Sequence, residues 1–215
     1  MLSCMQDSAH DRHHIYRVLY AALDIAAHEA NVDTEVLIAA CLLHDIGREQ
    51  QFAHSDVCHA QLGGDMAYAY LLKRQWHPKR AAHVRACIST HRYRGDNPPE
   101  SIEATILFDA DKLDASGAMG IARTLIYGGQ VQEPLYVLEE DGSILVDGGG
   151  ADISSFFQEY NYKLKKVYAS LHTERAKVIA RERQKTAIAF YQGLYDEVSQ
   201  NYKNGRHRLG EALDD

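Results

Sequence analysis

Paired cysteines, long apolar runs and basic tracts are all missing from this chain, and each absence narrows its function. The four cysteines, Cys4, Cys41, Cys58 and Cys87, are scattered without a CxxC pair. That argues against a disulfide framework and for reduced thiols in a cytoplasmic protein. Cys41 and Cys87 fall in apolar helical stretches, where a thiol behaves as a small hydrophobe. No apolar run approaches the roughly 20 residues needed to cross a bilayer. The opening MLSCMQDSAHDRHH lacks the basic start and apolar run of a signal peptide. A membrane partner is therefore not expected. With a net charge of −7 and no long basic stretch, a nucleic-acid polymer is not expected either. Local positive charge would still admit a small anion. Proline is also scarce, at four residues, against 46% hydrophobic residues in a 215-residue chain. Such a chain can bury a sizeable core.

Histidine, by contrast, is abundant, with twelve residues. One of them ends the most apolar stretch: Val36-Leu37-Ile38-Ala39-Ala40-Cys41-Leu42-Leu43 finishes in His44-Asp45. A carboxylate beside an imidazole is costly to carry into a core unless a cation or an ion pair compensates it. Residue types alone leave both compensations open.

Helical periodicity dominates the chain. A first helix from Asp11 to about Glu29 has Ile15, Val18, Leu19, Ala22, Ile25 and Ala26 on one face. Asn31 and Asp33 break and restart it, and Thr34 to His44 forms a second helix, stopped by Gly47. A polar loop holding His54, Asp56 and His59 follows, then helices from about Cys58 to Arg74 and from Ala81 to His91, with Pro78 suited to a first turn. Asp96 to Pro99 reads as loop. Ser101 and Ala104 start a helix through ILFDADKLDA towards SGAMGIARTLIYGG. Leu135 to Val146 reads as a β-hairpin around Asp141-Gly142. Phe156 to Tyr202 forms two long helices parted near His172-Thr173, with Thr173 as N-cap. Residues 204–215 read as a frayed tail. The expected architecture is an all-α, single-domain helical bundle over residues 1–215, with a structured core at about 11–200 and a hairpin insertion at 130–150.

Four segments bring imidazole or carboxylate to helices with apolar faces: His14 to Val18, His44-Asp45, His91, and Asp109 to Asp114. Helices around one core can aim such groups at a common point, and mixed nitrogen and oxygen donors suit a borderline or hard divalent ion. His10, His13, His28, His54, His77, His83, His172 and His207 read as surface residues, with His54 the best exception.

The segments HDRHHIYRV, LLHDIG, STHRYRG, DADKLDASGAMGIART, YGG and TERAKVIARERQ resemble the HD-domain metal-dependent phosphohydrolases. Within these, they resemble the small stand-alone bacterial hydrolases related to nucleoside triphosphate pyrophosphohydrolases, from about Asp11 to Tyr195. The resemblance implies an HD-domain helical bundle in which His14, His44, Asp45 and Asp111 ligate a divalent metal: Mn, Mg, Ni, Co or Fe. Asp111 is preferred to Asp109 because the family's ligand directly precedes a basic residue and leucine. His59 and His91 resemble positions that hold a second metal in dinuclear relatives; in single-metal relatives His91 faces phosphate or water. Their ordinary alternatives are a residue beside a helix N-cap for His59 and a C-terminal dipole partner for His91.

Arg17, Arg48, Arg92, Arg94 and Lys112 lie near these ligands in sequence and suit an anionic substrate. Arg17 may equally be read as the partner of a neighbouring carboxylate, and Lys112 as a solvated helix residue. Asp114 suits either the orientation of a histidine or a cap. The implied activity is hydrolysis of a small phosphorylated metabolite, with His91 as proton relay and Arg94 and Lys112 stabilising the transition state. Nucleoside triphosphates, giving monophosphate and pyrophosphate, are favoured by resemblance alone. The hairpin is placed to cover the pocket. A dinuclear iron oxygenase and a silent nucleotide-binding regulator are the competing readings. The thirteen tyrosines and the amphipathic C-terminal helices are compatible with a homodimer.

Overall fold

The computed structural model describes residues 12–53, 58–92, 97–148 and 155–214. The described chain is helical, and its contacts group it into two compact units. One comprises the chain to Asp114 together with Leu171–Ile179; the other comprises Ala115–Ser170 and the chain from Ala180. No described helix is long and apolar enough to cross a membrane. His10, His54 and Arg94 lie outside the described residues.

The first unit packs α1 (Arg12–Ala26), α2 (Thr34–Leu43), α3 (Arg48–Ala53), α4 (His59–Lys73), α5 (Pro78–Thr90) and α6 (Ile102–Asp114). On α1 the apolar stripe buries Ile15, Val18, Leu19, Ala22 and Ile25, and His14 is buried with them. Asn31, at a φ of 60°, adopts the left-handed turn that asparagine tolerates. Asp33 then caps α2 by accepting the Val36 amide at 3.1 Å. Because α2 is apolar nearly all round, it runs inside the unit with Val36, Leu37, Ala40 and Cys41 buried. Pro78 stands in the first turn of α5 after an N-cap at His77. Ser101 caps α6 by accepting the Ala104 amide at 3.1 Å.

The loop expected after Gly47 includes a short helix, α3. Gly47 turns the chain without ending helical structure, because Arg48-Glu49-Gln50 are good helix formers. Its missing side chain serves packing instead. A Cβ on Gly47 would stand 2.7 Å from the His59 carbonyl oxygen and 2.8 Å from the Gly63 amide nitrogen. Only glycine lets the turn after His44-Asp45 come this close to α4.

The second unit contains α7 (Gly117–Gln130), α8 (Phe156–Glu159), a π-helical turn at Tyr160–Leu164, α9 (Lys165–Val167) and most of α10 (Glu174–Asp214). Its core is aromatic: Phe156, Phe157, Tyr160 and Leu164 pack with Ile121, Ile144 and Ala187. The expected hairpin is reduced to one antiparallel bridge, Leu138 with Ile144, and no strand forms among the described residues. The Asp141-Gly142 turn does form, with the Ser143 amide donating to Asp141 Oδ1 at 2.8 Å. A two-stranded ribbon with no third strand is marginal, which accounts for the reduction. Beyond Asn204, α10 continues to Asp214, in a stretch free of proline.

Candidate metal centre

The first unit gathers four histidines and two aspartates from five elements. His14 comes from α1, His44 and Asp45 from the end of α2, His59 from the start of α4, His91 from the end of α5 and Asp111 from α6. His14, His44, Asp45, His59 and His91 are all buried. Asp111 keeps 20% of its side-chain surface exposed and Arg48 keeps 22%, so the cluster opens to solvent beside these two residues.

Helix ends orient two of the rings. His44 and His91 are the C-caps of α2 and α5, where the last carbonyls lack intrahelical partners. The Nδ1–H of His44 donates to the Cys41 carbonyl at 2.8 Å. That of His91 donates to the Ile88 carbonyl at 2.6 Å. A carbonyl only accepts, so both rings carry the proton on Nδ1 and turn an Nε2 lone pair inwards. On α1, His14 Nδ1 donates to Asp114 Oδ2 at 2.7 Å. Arg17 grips the same carboxylate through Nε at 2.6 Å and Nη2 at 3.0 Å. Asp114 thus orients His14, and Arg17 is engaged with Asp114, the ordinary pairing that its position allowed.

The inward atoms converge. His14 Nε2 lies 3.2 Å from His44 Nε2, 3.6 Å from Asp45 Oδ2 and 3.5 Å from Asp111 Oδ1. His44 Nε2 is 3.7 Å from Asp45 Oδ2 and 3.9 Å from Asp111 Oδ1. Asp45 Oδ1 is 3.6 Å from His59 Nε2 and 3.8 Å from His91 Nε2, and it is buried without a hydrogen-bond partner. Nitrogen and oxygen donors held at about 2.0–2.2 Å by one ion must lie within about 4.4 Å of each other. His14, His44 and Asp111 meet that limit, and Asp45 Oδ2 lies within it of both rings; the orphaned Asp45 Oδ1, on the side of His59 and His91, is the kind of group a cation satisfies. The residues fit a divalent metal.

The electrostatics point the same way. Burial opposes the protonation of His14, but the carboxylates of Asp114, Asp45 and Asp111 outweigh it and raise its pKa to about 9. Asp45 and Asp111 are held below the usual carboxylate range despite burial. His44, His14 and Arg48 lower Asp45, and Lys112, His14 and His44 lower Asp111. Burial pushes His91 down to about 4, helped by His44. His59 falls to about 3 through burial and the positive charge of Arg48. Two ionised carboxylates thus face one protonated imidazole, and a cation can displace that proton.

Of the other basic residues, Arg48 Nε pairs with Asp45 Oδ2 at 2.9 Å, and Arg92 Nη1 lies 3.3 Å from His59 Nδ1. Lys112 Nζ sits 5.2 Å from the Phe108 ring centroid, a cation–π distance. Asp109, set aside as a ligand, is wholly buried. It accepts from the His172 amide, the Thr173 amide and the Thr173 hydroxyl, the last two at 2.7 Å. That capping role was missed, because its partners lie more than sixty residues along the chain.

Residues 12–116 match the HD domain family. This segment is an HD domain, the domain of the HD-superfamily metal-dependent phosphohydrolases. It is 27% identical over 195 residues to the protein YpgQ of Bacillus subtilis strain 168, covering 90% of this chain and 86% of YpgQ. The crystal structure of YpgQ in complex with ADP superposes with a TM-score of 0.68 at 26% identity, covering 88% of this chain and 90% of that one. A predicted HD superfamily hydrolase from an uncultured Thermotogales bacterium gives 0.59 at 29% identity, covering 89% and 83%.

Proposed function

We propose that the chain hydrolyses nucleoside triphosphates to monophosphate and pyrophosphate, with His14, His44, Asp45 and Asp111 holding the ion. The observation that carries the hydrolase reading is the convergence of donors from His14, His44 and Asp111, with Asp45 Oδ2 3.6 and 3.7 Å from the two imidazole nitrogens. Support for a nucleotide comes from the ADP bound to YpgQ. A divalent ion bound there acidifies water and neutralises charge growing on the phosphoryl group. His91 Nε2, neutral and unprotonated, accepts a proton from water beside Asp45 and passes it on. Arg48, tied to Asp45 through Nε alone, offers its Nη groups to phosphate oxygens at the open side. Lys112, next to Asp111 in the chain, adds positive charge beside the site.

Separate assays of phosphate and pyrophosphate over a nucleotide panel test the reading, with manganese, magnesium, cobalt or nickel added. Pyrophosphate from triphosphates, lost on chelation, is the expected result. Orthophosphate from monophosphates would replace the substrate class, and turnover in the presence of chelator would remove the metal.

A pH dependence follows from His14. Because its folded pKa, about 9, lies above the unfolded value, its ion pairs stabilise the metal-free protein fully below about 6.5. That contribution fades as pH rises through about 9. Ion uptake must expel the same proton, so apparent affinity is expected to rise about tenfold per pH unit between about 7 and 9, then level off. Calorimetry at pH 7.5 in buffers of different ionisation enthalpy should show about one proton released per ion.

A further inference from the structure

Distance alone makes Asp45, His59 and His91 a second set of donors able to hold a cation. The hydrogen atoms separate them. An arginine side chain has donors and no acceptor, so His59 Nδ1, 3.3 Å from Arg92 Nη1, is the acceptor of that contact. The proton of the neutral ring therefore sits on Nε2. This is the reverse of His14, His44 and His91, whose Nδ1 atoms donate to Asp114, Cys41 and Ile88. His44 and His91 present a lone pair to the centre, and His14 does so once its extra proton is displaced; His59 presents an N–H. It faces Asp45 Oδ1 at 3.6 Å, just beyond hydrogen-bond reach, and that oxygen is buried with no hydrogen-bond partner.

Charge separates the two sets as well. The set of His14, His44 and Asp111 adjoins Asp45 and so has two carboxylates. The second set has Asp45 alone, already paired with Arg48 at 2.9 Å, and Arg92 stands against His59. A second divalent ion would meet one shared carboxylate and two guanidinium groups.

We infer that His59 is a positioning residue and not a metal ligand: it turns an Nε2–H towards Asp45 Oδ1 on the side of the carboxylate away from His14 and His44, and the Arg92 contact at Nδ1 sets that tautomer. The inference rests on the metal-centre reading for the ion and on hydrogen bonding alone for the tautomer. A dinuclear centre, including the iron oxygenase alternative, needs the opposite tautomer at His59.

The first measurement uses metal-free protein labelled with ¹⁵N-histidine. Two-bond proton–nitrogen correlations distinguish Nδ1–H from Nε2–H rings, with each ring assigned by its His→Gln variant. His59 is expected as Nε2–H and His44 and His91 as Nδ1–H, with Arg92→Ala shifting His59 towards a mixture. An Nδ1–H form at His59 overturns the inference. The second measurement is metal per chain. One ion is expected in the wild type, with affinity reduced about tenfold in His59→Ala and largely restored in His59→Gln, whose carboxamide keeps an N–H donor. Two ions per chain, falling to one in His59→Ala, overturn it. A wild-type chain that takes up no ion overturns the metal reading, while the tautomer measured on metal-free protein still decides the role of His59.

Discussion

Asp45→Ala is expected to abolish ion uptake and to lower phosphohydrolase turnover by about three orders of magnitude or more. The size follows from where this carboxylate stands. Oδ2 lies 3.6 and 3.7 Å from the Nε2 atoms of His14 and His44, and Oδ1 lies 3.6 and 3.8 Å from those of His59 and His91. Asp45 thus faces all four imidazoles, and Arg48 closes on it at 2.9 Å. Removing it takes away one of two anionic donors and leaves the arginine without its counter-charge. The fold has an outlet, since His14 can give up the proton that these carboxylates hold on it. A modest fall in melting temperature with a complete loss of metal is therefore the expected pattern. Asp45→Asn tests charge at nearly constant shape, because the amide keeps one acceptor oxygen but replaces the other, anionic oxygen by an uncharged donor that cannot ligate an ion. It should bind the ion at least about a hundredfold more weakly. Full activity in either variant, measured with metal content and a thermal melt, would remove Asp45 from the centre.

The His44-Asp45 doublet was legible because it contradicts its surroundings: two polar groups at the end of a helix apolar on every side need a physical reason. The helices were legible from periodicity, and the breaks at Asn31, Pro78 and Thr173 from local backbone preference. What could not be read depends on distance along the chain. Arg17 looks like a phosphate contact until Asp114, 97 residues later, takes its guanidinium. His44 and His91 look alike as sequence, and only their place as C-caps shows that an i−3 carbonyl orients each ring. Helix α3 was hidden because Gly47 has two uses, ending a helix or admitting a close neighbour, and the neighbour is the backbone of α4. The Leu135 to Val146 segment has hairpin patterning, but a lone ribbon lacks the further strands that would make it a sheet.

Asp109 and Asp111 share a helix and a residue type, yet their replacements are expected to fail in opposite ways. Asp109 is wholly buried and binds the start of α10, accepting from the amides of His172 and Thr173 and the Thr173 hydroxyl. Thr173 in turn accepts the Ala176 amide at 3.4 Å, so one carboxylate supports both the cap and the capped turn. Asp109→Asn turns a donor towards donors and strands at least one buried N–H, a loss of about 2–4 kcal/mol in unfolding free energy. At about 2–4 °C per kcal/mol for a chain of this size, the metal-free protein should melt roughly 5–15 °C lower. Its donors to the ion stay in place, so uptake should persist below the new melting point. Asp111→Asn should do the reverse. Its oxygen faces the Nε2 atoms of His14 and His44 at 3.5 and 3.9 Å on the solvent-open side of the cluster. Its loss should leave the metal-free melt within a few degrees while metal content falls to background. Two measurements on two variants decide the matter: denaturation of metal-free protein, and metal per chain. If Asp109→Asn loses the ion at full stability while Asp111→Asn unfolds early and keeps it, the two carboxylates have exchanged roles, and the closing ligand of the centre lies one helical position pair earlier.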